Sequence, residues 1–168
     1  RGIRVRCILT RGGAEFVTPL ALGALSEEQV YGDLFSLNDE NEMGHIRLSR
    51  EADLVVVAPA TADIMAKMAS GIADDLATTA LLATDKPVLV APAMNTRMWE
   101  HPATRRNMAR LEADGVMRVG PGAGDLACGE TGEGRMAEPA EILASIETFF
   151  QTSGSLAGIH ALVTSGPT

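Results

Sequence analysis

The sequence places Val-Val-Val-Ala at 55–58 and Val-Leu-Val-Ala at 88–91. A strand with one wet face alternates apolar and polar residues, whereas an unbroken apolar run belongs to a strand covered on both faces. Sheets built from such strands are parallel and lie between layers of helices, which constrains the whole chain. Strands are expected at Ile3–Leu9, Asp53–Ala58, Val88–Ala91 and Val116–Val119. Helical patterns fall at Pro19–Leu25, Ile64–Ala69, Leu76–Ala83 and Thr104–Ala113. In the last of these, Met108 and Leu111 face inward while Arg105, Arg106 and Arg110 face largely outward. Pro139 opens a final helix, Glu141–Phe150, in the position where proline is tolerated. The alternation predicts an α/β fold, a doubly wound parallel sheet in a three-layer α/β/α arrangement. Ligands of such sheets bind beyond the carboxyl ends of the strands.

At 168 residues the chain suits one domain with a sizeable core. No stretch approaches the roughly 18 apolar residues of a membrane span, and no signal peptide opens it. The net charge of −8 argues against a nucleic-acid surface. A phosphate ligand would therefore be held locally, by backbone amides and a few of the twelve arginines. Cys7 and Cys128 form neither a disulfide framework nor a metal signature, so a cytoplasmic setting and no metal are expected. Both ends read as cut. The chain enters a strand almost at once, and "QTSGSLAG" (151–158) reads as a linker. "IHALVTSGPT" (159–168) then reads as a strand with little to pair with, the opening of a second domain after a first that spans 1–150.

Several segments could carry chemistry. In "VVVAPATADIMAK" (55–67), Pro59 is expected to end the strand, with Thr61 and Asp63 where helix N-caps belong. Such a turn is either a plain cap or an anion site made of free N–H groups at the positive end of a helix. "LTRGGAEF" (9–16) ends the first strand in the same manner: Thr10 could contact a phosphate or a ring, or Gly12–Gly13 could be a simple turn. "VLVAPAMNTRMWEHP" (88–102) sets Asn95 among Met94, Met98 and Trp99, the chain's single tryptophan. His45 stands at the start of a short helix in "EMGHIRLSREAD" (42–53), as a surface residue or as a general base suited to neutral pH. His101 reads as structural, and His160 lies in the tail. "GPGAGDLACGETGEGRMAEP" (120–139) has six glycines and no clear periodicity. It matches neither nucleotide-binding glycine motif. A mobile lid carrying Cys128 and Arg135 is one reading, and an inert buried Cys128 is the other.

Four of these motifs stand together: the His45 segment, "APATAD" (58–63), "PAMNTRMW" (92–99) and "ACGETGEGRMAEP" (127–139). In that order and spacing they resemble the homo-oligomeric flavin-containing cysteine decarboxylases, over about residues 1–150. The resemblance is strongest to the branch that decarboxylates phosphopantothenoylcysteine and is fused to a ligase in bacterial coenzyme A biosynthesis; "LVTSGPT" (162–168) looks like the start of that ligase. The resemblance implies a flavodoxin-like, Rossmann-type fold whose first strand and glycine-rich turn would precede Arg1. It implies FMN as cofactor and N-(4'-phosphopantothenoyl)cysteine as substrate. The expected route is oxidation to a thioaldehyde, loss of CO2 and re-reduction to 4'-phosphopantetheine. By the same resemblance, His45 matches the catalytic base and Cys128 the late proton donor. Asn95 matches the residue that holds the substrate carboxylate, and Arg135 and Met136 belong to a substrate-covering flap. Beside Asn95, Met94, Met98 and Trp99 would wall the crevice and pack a neighbouring subunit, or core packing alone could account for Met98 and Trp99. Thr10, Thr61, Ala62, Asp63 and Ala93 fall on flavin-lining positions, although Asp63 stands where many relatives have Asn. A homotrimer or an assembly of trimers is expected. Alternatives are a non-catalytic regulatory flavoprotein, a structural fragment, and a flavin prenyltransferase of related fold; the prenyltransferase would lack the Asn95 and Cys128 motifs.

Overall fold

The computed structural model describes residues 2–32, 44–125, 131–152 and 160–165, with the side chains of 44–47, 125, 131 and 160–165 left out. Its main sheet is built from β1 (Arg4–Leu9), β2 (Val30–Tyr31), β3 (Leu54–Ala60), β4 (Val88–Pro92), β5 (Met117–Arg118) and β8 (His160–Ser165). The order across the sheet is β2-β1-β8-β3-β4-β5, and every recorded pairing in it is parallel. A separate antiparallel hairpin joins β6 (Gly122–Asp125) to β7 (Thr131–Arg135). The helices are α1 (Pro19–Ser26), α2 (Gly44–Glu51), α3 (Ala62–Ser70), α4 (Leu76–Ala83), α5 (Thr96–Glu100), α6 (Pro102–Ala113) and α7 (Pro139–Thr152).

The apolar runs behave as their patterning predicts. Val55, Val57, Val88 and Val90 face one way, into a core with Leu48 of α2, Ala52 just after it, Ile64 and Met65 of α3, Leu76 of α4, and Met108 and Leu111 of α6. Leu54, Val56, Leu89 and Ala91 face the other way, onto Ile142 and Phe150 of α7. Each of the larger side chains among these contributes about 1.5–3 kcal/mol by leaving water. That is why the runs tolerate no polar residue on either face.

Two expectations are corrected. Pro59 does not end its strand: β3 continues to Ala60, with a cis Ala58–Pro59 bond and a register irregularity between Val57 and Ala60. Proline brings no N–H to a ladder, and pairing resumes one residue later, Ala60 against Pro92. The tail strand does not lack a partner. β8 lies between β1 and β3 and pairs with both. Parallel strands on either side of an open slot would leave two ladders of backbone groups unmet, and an extended apolar segment satisfies both. Residues 153–159, most of the expected linker, lie outside the described residues, and α7 runs through Gln151 and Thr152. His101 is structural as expected: its Nδ1 accepts from Ala103 N–H at 3.2 Å and caps α6.

Candidate functional site

Because the main sheet is parallel, β1, β3 and β4 point their carboxyl ends to one edge, and each leads into a turn closed by a side-chain oxygen. Thr10 follows β1, and its Oγ1 accepts from Gly13 N–H at 3.1 Å. Thr61 follows β3 and caps α3, with Oγ1 accepting from Ile64 N–H at 3.2 Å. Asn95 follows β4 and caps α5, with Oδ1 accepting from Met98 N–H at 2.8 Å. Caps of this kind supply partners for N–H groups that a first helical turn cannot satisfy internally. At α3 the first backbone bond is Met65 N–H to Thr61 O. The N–H groups of Ala62 and Asp63 therefore have no acceptor within the helix, and the helix dipole adds positive potential there.

The Asn95 turn is the more elaborate of these. With Oδ1 committed to the cap, the exposed amide has its two Nδ2 hydrogens left to donate. The turn is also covered by the hairpin. Met94 N–H donates to Gly134 O at 3.0 Å. A Cβ added at Gly132 would meet Thr96 Oγ1 at 2.5 Å, and one at Gly134, where φ is +141°, would run into Met94 O. Gly132 leaves room for the Thr96 side chain, and Gly134 lets the hairpin backbone touch the backbone at Met94. Thr96 Oγ1 is buried beneath this contact and has no hydrogen-bond partner among the described residues. Trp99 is 2% exposed and donates Nε1–H to Glu133 Oε2 at 3.1 Å. Arg105 lies over the indole, its guanidinium carbon 4.7 Å from the ring centroid.

The expected site residues divide into those the structure gathers and those it leaves open. Thr10, Thr61, Ala62, Asp63, Ala93 and Asn95 all stand at the carboxyl edge. Ala93 is buried and donates its N–H to Ala60 O at 3.0 Å, which ties the ends of β3 and β4 together. Asp63 is exposed and bridges Lys67 at 3.2 Å; Lys67 also bridges Asp74 at 3.1 Å. Those carboxylates, Asp74 first, hold the Lys67 ammonium above its ordinary pKa. His45 is the second residue of α2, as expected, and α2 ends just before the amino end of β3. Its start therefore lies toward the carboxyl edge. Met98 is 44% exposed beside Asn95. Arg135 closes β7 and bridges Glu138 at 2.6 Å. Met136 follows it, partly buried against the core that α7 covers. Cys128 lies outside the described residues. Cys7 is buried on β1, and burial pushes its thiol pKa up, with Ser26 offsetting part of that.

Sequence reading missed α5, β2, the hairpin, and the roles of Thr96, Glu133 and the paired glycines. The Gly-Glu-Gly triplet at 132–134 was the available signal, since a glycine inside a strand marks a close backbone approach. No group of three or more His, Cys, Asp or Glu side chains capable of holding a metal occurs among the described residues. Among them also, no helix is long and apolar enough to cross a membrane.

Comparison with known proteins fits this geometry. The chain is 46% identical over 169 residues to the coenzyme A biosynthesis bifunctional protein CoaBC of Bacillus subtilis, an alignment covering 99% of this chain and 42% of that protein. It is 42% identical over 168 residues to the protein of the same name from Escherichia coli K12, covering 100% and 41%. The chain thus spans less than half the length of these relatives. Among solved structures, a cysteine-to-serine mutant of PPC decarboxylase complexed with pantothenoylaminoethenethiol superposes with a TM-score of 0.79 at 35% identity, covering 88% of this chain and 84% of that one. The FMN-binding protein AtHal3 superposes with a TM-score of 0.77, also at 35% identity, covering 89% and 83%. The flavoprotein family model matches residues 1–151, and the chain belongs to the flavoprotein family.

Proposed function

We propose that the chain is an FMN-dependent decarboxylase that converts N-(4'-phosphopantothenoyl)cysteine to 4'-phosphopantetheine and CO2. The observation that carries this reading is the divided amide of Asn95: its oxygen is held by the cap, and its Nδ2 group has no acceptor among the described residues. A neutral donor binds a carboxylate without the ground-state stabilisation that an arginine would add, so less of that binding is lost as CO2 departs. The names of the relatives and of the superposed structures support the same substrate class.

The residues present fit a flavin phosphate and ring. The free N–H groups of Ala62 and Asp63, the Thr10 turn and the small buried Ala93 offer donors and room at one edge. FMN, when bound, accepts a hydride and later returns it, so the reaction has no net redox change and gains an electron sink for CO2 loss. Oxidation of the substrate CH2–SH also releases the sulfur proton, which the His45 imidazole accepts. Asn95 Nδ2 orients the carboxylate, and Met98 and Met136 keep water away. Cys128 supplies the proton to the carbon that lost CO2, and Arg135 draws the flap over the substrate.

We assign the chain to a homo-oligomer, most simply a trimer or an assembly of trimers. α1 has no buried residue although its sequence is almost wholly apolar, and Leu20 and Leu25 are 83% and 84% exposed, near Phe16 at 76%. A helix apolar all round requires a covering surface, and a second copy supplies it. The ligase activity of the bifunctional protein is assigned to the length of the relatives beyond this match, and the setting is cytoplasmic.

The test supplies the chain with FMN and N-(4'-phosphopantothenoyl)cysteine and measures CO2 and 4'-phosphopantetheine together. Equal amounts of both support the reading; FMN binding without CO2 release returns the chain to a regulatory flavoprotein.

A further inference from the structure

We propose that Glu133 is a positioning residue, a latch that seats the β6–β7 hairpin on the Asn95 turn by gripping Trp99 and Arg105 together. The proposal rests on the decarboxylase reading for its kinetic consequence, though not for its structural one. Three successive hairpin residues meet the turn. Gly132 lies against Thr96, and Gly134 O accepts from Met94 N–H. Between them, Glu133 Oε2 accepts from Trp99 Nε1–H at 3.1 Å and lies 3.6 Å from Arg105 Nη2.

Gly132 packs on the Thr96 side chain and Gly134 on the backbone at Met94, and neither glycine brings a side-chain group of its own to the turn. Glu133 does, and it meets two partners that already touch. Arg105 stacks on Trp99 at 4.7 Å, and Arg118 approaches the same ring at 5.9 Å. The carboxylate thus closes a triangle with an indole N–H and a guanidinium. Trp99 is fixed by burial, so the triangle fixes the hairpin relative to α5, whose N-cap is Asn95. Glu133 is 59% exposed, and an isolated surface ion pair at that exposure is worth little. The geometry instead points to orientation: one acceptor, two donors, and a hairpin otherwise held by the close approach of its glycines to Thr96 and Met94.

The experiment compares Glu133→Ala and Glu133→Gln in the full chain with FMN. Trp99 is the single tryptophan, so its emission reports the latch directly. Exchange of the Met94 amide reports hairpin seating through the bond to Gly134 O. Glu133→Ala is expected to red-shift Trp99 emission, to speed Met94 exchange about tenfold, and to raise KM about tenfold with kcat within about twofold. Glu133→Gln keeps an acceptor for the indole and should recover most of each. Unchanged emission and exchange in Glu133→Ala would overturn the latch whatever the activity. Altered emission and exchange with an unchanged KM would overturn its positioning role. If the parent chain releases no CO2, the decarboxylase reading fails, while emission and exchange still decide the latch.

Discussion

The turns after β3 and β4 begin from nearly the same sequence, Val-Val-Val-Ala-Pro-Ala at 55–60 and Val-Leu-Val-Ala-Pro-Ala at 88–93, and they diverge at the cap. After β3 a threonine hydroxyl caps a nine-residue helix whose open N–H groups and dipole suit an anion. After β4 an asparagine caps a five-residue helix, and a hairpin is packed onto the turn. The first arrangement attracts negative charge broadly. The second leaves one amide donor exposed beside a hairpin packed on Met94, Thr96 and Trp99. Strand geometry is shared; the chemistry is set by the cap residue and by what lies over it.

The largest effect that would break this comparison lies outside both turns. His45→Gln, with FMN bound, is expected to lower CO2 release about 10²- to 10⁴-fold while leaving unfolding unchanged. A rate close to that of the parent chain would show that the turns act without His45.

Glycines sharpen the contrast next. Gly71 ends α3 at φ +67° with open space around it, whereas Gly134 would drive a Cβ into Met94 O. Gly71→Ala should cost about 1–2 kcal/mol from its left-handed backbone alone. Gly134→Ala should cost at least about 3 kcal/mol, because backbone strain and collision add. Urea unfolding of the two variants gives the difference, and equal costs would mean that the hairpin does not rest on the Asn95 turn.

The caps come third. Thr61→Ala should lose about 1 kcal/mol by chemical denaturation and Thr61→Ser only a few tenths. A weaker FMN affinity in the alanine variant would place the flavin at this turn. The smallest effect is at Cys7, whose buried, protonated thiol should resist alkylation near neutral pH in the native chain and react only on unfolding. Rapid native labelling at Cys7, read by peptide mass, would mean that β1 is less covered than the structure shows.

Much of this was legible because burial on both faces writes itself as unbroken apolar runs: Val55–Val57 and Val88–Val90 could only be central strands. Helices announced themselves through caps and prolines, with Leu76–Ala83 matching its expected span. Thr61 and Asn95 were legible as cap and amide. What each amide atom does was not, because Oδ1 and Nδ2 are assigned their tasks only when Met98 N–H arrives in space. The hairpin was illegible because Gly122, Gly124, Gly132 and Gly134 erase the alternation that marks a strand. Gly132 and Gly134 serve contacts with Thr96 and Met94, far away along the chain, and no local pattern names those partners. The placement of the tail strand was illegible for a related reason: "HALVTS" states that it is a strand, and only the slot between β1 and β3 states where it goes.

The central claim, that Asn95 divides its amide between cap and substrate, is tested most directly by Asn95→Asp. Aspartate caps helices as well as asparagine does, so the unfolding free energy should stay within about 0.5 kcal/mol. It brings no donor and adds a negative charge where the carboxylate must sit. With FMN bound, CO2 release from N-(4'-phosphopantothenoyl)cysteine should therefore fall at least about a hundredfold, the scale of losing one oriented donor at a charged reacting group. CO2 release within about threefold of the parent chain at unchanged stability would contradict the account and leave Asn95 as a cap alone.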